Sequence, residues 1–106
     1  MILTNYPTDN DGFLLDLSCW DEKFAQITAE NENIQLSQAH WEVIYFLRSF
    51  YQKHQTSPAI RALIKALKLK FGDQKGNSLY LQSLFPESPA LQAAKIAGLP
   101  KPAKCI

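Results

Sequence analysis

Residues 38–54 constrain this chain more than any other segment. Trp41, Val43, Ile44, Tyr45, Phe46, Leu47, Phe50 and Tyr51 place apolar groups around most of the circumference of a helix. Such a helix needs cover on several sides, so it is expected at the centre of the core, with Ser37 as its N-cap. A chain of 106 residues has material for one core, so a single domain over 1–106 is expected. A nucleotide-binding unit beside a substrate domain is excluded. With 46% hydrophobic and 20% charged residues, the chain is neither a disordered tail nor a fibrous repeat.

Other helices should surround the central one. Ser18 is a candidate cap for a helix carrying Trp20, Phe24 and Ile27 on one stripe and ending near Asn31. Ser57-Pro58 restarts the chain, with Pro58 at the first helical position, and the helix runs to Phe71 before Gly72. Its core face is Ile60, Leu63, Ile64, Leu67 and Phe71; Arg61, Lys65 and Lys68 form a basic stripe elsewhere. A short helix from Gly76-Asn77-Ser78 to Phe85 should stop at Pro86. Ser88-Pro89 opens a small Ala-rich helix that Gly98 ends.

At the N-terminus, Ile2-Leu3 and Phe13-Leu14-Leu15 flank the turn formers Thr8 to Gly12, which predicts a β-hairpin. The expected fold class is therefore α+β: a small N-terminal hairpin or meander packed on an array of about five helices. Residues 99–106, with Pro100 and Pro102, should form an extended, mobile C-terminal arm, with Gly98 as its hinge.

The net charge of +1 is unevenly spread. Residues 1–33 hold seven acids and one lysine; residues 88–106 hold Lys95, Lys101 and Lys104 and no acid. The chain shows neither a basic-then-apolar leader nor an apolar run long enough to span a membrane, so a cytosolic protein with reduced thiols is expected.

Phosphate loops, HExxH and G-x-S-x-G are absent. His40 and His54 are more economically structural than catalytic. The acids at 21, 22, 30 and 32 suit a solvated helix face. The stripe of Arg61, Lys65 and Lys68 is either an ordinary exposed face or a contact for an acidic partner or RNA phosphates. Two cysteines are too few for a disulfide scaffold or a Cys-based zinc site. Cys19, beside Trp20, suits a half-buried structural role. Cys105 is different: it follows a Pro-Lys-rich segment that spans about 25 Å when extended. Lys101 and Lys104 nearby favour the thiolate, the nucleophile of sulfur exchange. A frayed tail with an accidental cysteine is the bland alternative.

The run from Lys95 to Ile106, KIAGLPKPAKCI, resembles the C-terminal signature of the DsrC/TusE family of sulfur carriers. His40-Trp41-Glu42, Thr56 to Arg61 (TSPAIR), Phe71-Gly72, Lys75 to Ser78 (KGNS) and Leu84-Phe85-Pro86 resemble family blocks in the same order. Two-cysteine members carry a second cysteine eleven residues before the terminal one; that position here is Ala94. The chain is thus similar to the single-cysteine, TusE-type branch. The resemblance implies a persulfide carrier with Cys105 catalytic; beside it, Lys101 and Lys104 are expected to assist docking, and Arg61 and Lys65 of the basic stripe are candidate partner contacts. It implies a TusBCD-like sulfur donor complex, through its TusD subunit, and an MnmA-like tRNA thiouridylase as acceptor. The cargo being covalent, no metal or organic cofactor is implied. A DsrC-like partner of a sulfite reductase, a non-catalytic tRNA- or protein-binding adaptor, and a redox protein using Cys19 with Cys105 are the alternatives.

Overall fold

The computed structural model describes residues 6–102. They form a 3-10 turn, Leu17–Cys19, and five helices: α1 (Glu22–Asn31), α2 (Gln38–His54), α3 (Ile60–Phe71), α4 (Ser78–Leu84) and α5 (Pro89–Ile96). Among the described residues no helix is long and apolar enough to cross a membrane.

Local chemistry accounts for the ends. The cap of α1 is Asp21, whose Oδ1 accepts from the Phe24 amide at 2.9 Å. Ser18 does not take that place, because Asp16 holds its amide (3.0 Å) and its hydroxyl (2.7 Å) in the preceding turn. The α2 N-terminus is a capping box closed by a histidine: the Ser37 amide donates to His40 Nδ1 at 3.0 Å. Asn77 caps α4 through the Tyr80 amide at 2.8 Å. The neighbouring Gly76 is there for close approach: a Cβ would lie 2.3 Å from the Lys68 Cα, so only glycine lets this loop cross α3.

The expected α+β architecture is not found. Among the described residues the only strand pairing is an isolated antiparallel bridge between Thr8 and Leu14. The turn forms where the sequence places it, with Asp9 Oδ1 accepting from the Asp11 and Phe13 amides, both at 2.9 Å. A ladder does not grow from it. Pro7 has no N–H to donate. Tyr6 turns away toward α1, its hydroxyl donating to Asp21 (2.7 Å) and its ring meeting Phe24 edge-on at 5.3 Å. Asp16 already starts a helical turn on the other side. Ile2 and Leu3 lie outside the described residues.

The hub of the fold is α5 rather than α2. This short helix packs against α1, α2, α3 and α4. Its buried Ala90, Ala93 and Ala94 present small side chains, and small side chains at a contact let helix axes come close. Val43, Ile44 and Leu47 of α2 reach the core with Leu63, Leu67, Leu81, Phe85 and Ile96. Tyr45 stays exposed, and Phe46 and Phe50 are half-buried. The apolar surplus of α2 is therefore only partly absorbed.

Candidate functional site at the root of the C-terminal arm

The chain leaves α5 through a Schellman turn. Gly98 adopts φ +78°, its amide donates to Lys95 O at 3.2 Å, and the Leu99 amide donates to Ala94 O at 2.9 Å. Leu99 and Ala94 are both buried, which supplies the apolar contact of the motif.

Two side chains from distant elements complete this helix end. Trp20 Nε1 donates to Ile96 O at 2.9 Å, and Arg48 Nη1 donates to Ala97 O at 2.7 Å. The guanidinium also lies 4.1 Å from the Trp20 ring centroid, a cation–π contact. A positive group at the C-terminal end of α5 suits the helix dipole. Burial lowers the Arg48 pKa from its ordinary value, with the nearby Tyr45 opposing, but a guanidinium remains cationic there. Trp20 is held in turn by the edge of Tyr45, 5.9 Å away, whose hydroxyl donates to Glu22.

Ser57 extends the grip. Its hydroxyl donates to Pro100 O at 2.6 Å instead of capping α3, which begins only at Ile60. Lys101 Nζ lies 3.3 Å from Asp11 Oδ2, and Pro102 is buried. Residues 99–102 are therefore docked on the body, not free from Leu99 onward. Gly98 itself lies among Ile96, Ala97 and Leu99, all fully buried. Beside this root lies a cleft of about 300 Å³ whose polar lining includes Asp11, Glu32, Lys95 and Lys101. Lys95 Nζ bonds Glu32 Oε2 at 2.8 Å and, with Gln92, holds that carboxyl below its ordinary pKa.

The sequence-derived site residues are scattered by comparison. Cys105 and Lys104 lie outside the described residues. Arg61 and Lys65 are exposed on α3, and neither has a carboxylate within 4.0 Å among the described residues. Lys68 approaches Asp73 at 3.9 Å. His40 is buried and structural: Nδ1 accepts from Ser37, so Nε2 carries the proton and donates to Leu84 O at 2.7 Å. His54 is exposed, with its ring 4.4 Å from that of Phe50. Cys19 is half-buried in the 3-10 turn. No cluster of metal-ligating side chains occurs among the described residues.

Trp20, Arg48 and Ser57 were not singled out as site residues from the sequence. One signal was available: an arginine within an otherwise apolar stretch of α2 must find acceptors when it is buried. Together these groups hold the backbone of Ile96, Ala97 and Pro100 where the chain leaves α5.

Comparison with known proteins agrees in kind. A family model described as DsrC like protein matches residues 3–106. A sulfurtransferase TusE homolog of Haemophilus influenzae is 62% identical over 99 residues, 93% of this chain and 91% of the relative. Sulfurtransferase TusE of Escherichia coli K12 is 60% identical over the same length and shares. Among solved structures, the NMR structure of Allochromatium vinosum DsrC superposes with a TM-score of 0.87 at 46% identity, covering 95% of this chain and 90% of that one. The oxidized gamma-subunit of the dissimilatory sulfite reductase (DsrC) from Archaeoglobus fulgidus gives 0.81 at 38% identity, covering 95% and 92%.

Proposed function

The chain belongs to the DsrC-like family and is a sulfurtransferase of the TusE type, and from that premise we propose that Cys105 is the sulfur-carrying residue of a cytoplasmic relay. The Cys105 thiolate attacks the outer sulfur of a donor persulfide. The donor S–S bond breaks, the donor leaves as a thiolate, and Cys105 becomes a persulfide that retains the terminal sulfur and its proton. An acceptor thiolate then repeats the exchange on Cys105. No electrons are gained or lost overall, so no redox partner is required, and the cargo stays covalent without a cofactor.

The donor in this reading is a TusBCD-like complex acting through its TusD subunit. The acceptor is an MnmA-like thiouridylase that thiolates the wobble uridine of tRNA. Lys101 and Lys104 assist docking and favour the thiolate. The observation that supports the reading is the match to the DsrC-like family over residues 3–106, with Cys105 five residues along the sequence from Pro100, whose carbonyl Ser57 holds. Position 94 is a buried alanine, so the second thiol of two-cysteine relatives has no counterpart there.

The test is intact-mass analysis after exposure to a persulfide donor, followed by reconstitution with donor complex, thiouridylase and tRNA. The parent and Cys19→Ser should each gain one reducible sulfur atom and support 2-thiouridine formation; Cys105→Ser should do neither. Equal loading of Cys105→Ser removes the assignment. Full thiolation by Cys105→Ala, with loss in the double variant Arg61→Glu, Lys65→Glu, would establish an adaptor instead.

A further inference from the structure

The apolar surplus of α2 ends in a surface groove. We propose that this groove, between α2 and α3, docks an acidic amphipathic helix of a protein partner. Its volume is about 430 Å³, and its walls include Tyr45, Phe46, Phe50 and Lys53 from α2 with Leu69 and Lys70 from α3.

Length, polarity and charge specify the occupant. The α2 wall runs from Glu42 through Tyr45 and Phe46, then Ser49 and Phe50, to Lys53. That is three helical turns, about 16 Å long. A helix laid in a groove presents anchors at the same three- and four-residue spacing. Leu69 on the α3 side is 82% exposed. A large apolar side chain left in water beside an apolar groove marks an interaction patch. The surrounding charge is positive. Helix α3 carries Arg61, Lys65, Lys68 and Lys70 and no acid; of these Lys70 lines the groove, and Lys68 approaches Asp73. Lys53 and Lys70, on opposite walls, have no carboxylate within 4.0 Å among the described residues. The one acid of the groove, Glu42, is neutralised by Lys75 at 2.6 Å. An acidic segment gains at both rims, whereas a basic one is repelled.

Nucleic acid fits less well. The Phe46 ring is inclined at 43° to Phe50 and 60° to Phe71. These rings pack into one another and offer no row of parallel faces on which bases stack.

The test is an amide-shift titration of the full chain with a synthetic four-turn helical peptide bearing leucines at the groove spacing and glutamates elsewhere. Its controls are the same peptide with lysines for glutamates and a single-stranded RNA. Saturable shifts confined to the groove walls of α2 and α3 are expected with the acidic peptide. Leu69→Glu and Lys70→Glu, both at exposed positions, should each weaken binding about tenfold while leaving the rest of the spectrum and sulfur loading of the chain unchanged. Failure of the acidic peptide to bind the groove, equal binding of the lysine peptide, or groove shifts with RNA alone would each overturn the proposal.

Discussion

The Arg48 guanidinium lies 4.1 Å from the centre of the Trp20 ring, and the two side chains donate to the consecutive carbonyls of Ala97 and Ile96. Each contact orients the groups that make the others. The direction in which the chain departs from α5 is thus set by a residue before α1 and a residue within α2.

Arg48→Ala should therefore act on both stability and transfer. It leaves Ala97 O without its donor and Trp20 without its cation, at a cost of about 2 kcal/mol. Urea unfolding measures the first effect. Sulfur transfer to a protein acceptor should fall more than loading from a small-molecule donor, since only the former needs a directed arm. Arg48→Lys should recover part of the stability but not the planar stacking.

Gly98→Ala tests the turn. The φ of +78° is strained for alanine, and a Cβ would sit 2.4 Å from Trp20 Cδ1. Destabilisation of about 2 kcal/mol or more is expected, with displacement of the indole visible as changed Trp fluorescence. A variant as stable as the parent would show that the turn relaxes freely.

His40→Ala should destabilise the chain by about 2–3 kcal/mol without affecting sulfur loading once folded. The buried imidazole joins the Ser37 amide to Leu84 O and packs edge-on against Phe85 at 5.2 Å. Thermal unfolding and intact-mass loading separate the two readouts. Loss of loading at equal folding would give the residue a chemical role.

Acid should loosen the join between α1 and α5. The hydrogen bond from Lys95 holds the Glu32 carboxyl below its ordinary 4.5, with Gln92 and the lysine charge adding to it and burial opposing. A depressed carboxylate pKa contributes stability above the unfolded-state value and loses it as pH falls through the folded value. Between about pH 6 and pH 3 the parent should lose more stability than Glu32→Gln, by about 1 kcal/mol. Urea midpoints across that range check it, and parallel curves would refute it.

The boundaries of α2, the stop at Gly72 and the Pro89 start of α5 were legible because capping and periodicity act over a few residues. The N-terminal hairpin was misread for the complementary reason. Its turn is local and forms, but extending the ladder depended on where Tyr6 and Asp16 found partners. Ser57-Pro58 marked a real break, yet its hydroxyl serves Pro100, 43 residues away.

The sequence by itself determined the helical segments, their stops, the family signature and a cysteine seven residues after a glycine. Only the tertiary structure decided that an alanine-rich helix is the hub, that α2 leaves an aromatic face uncovered, and how the arm's root is held. The physical reason is range. The bonds from Trp20 to Ile96 and from Arg48 to Ala97 join residues 76 and 49 positions apart, and such pairings arise from which helix faces pack together, which no local pattern encodes.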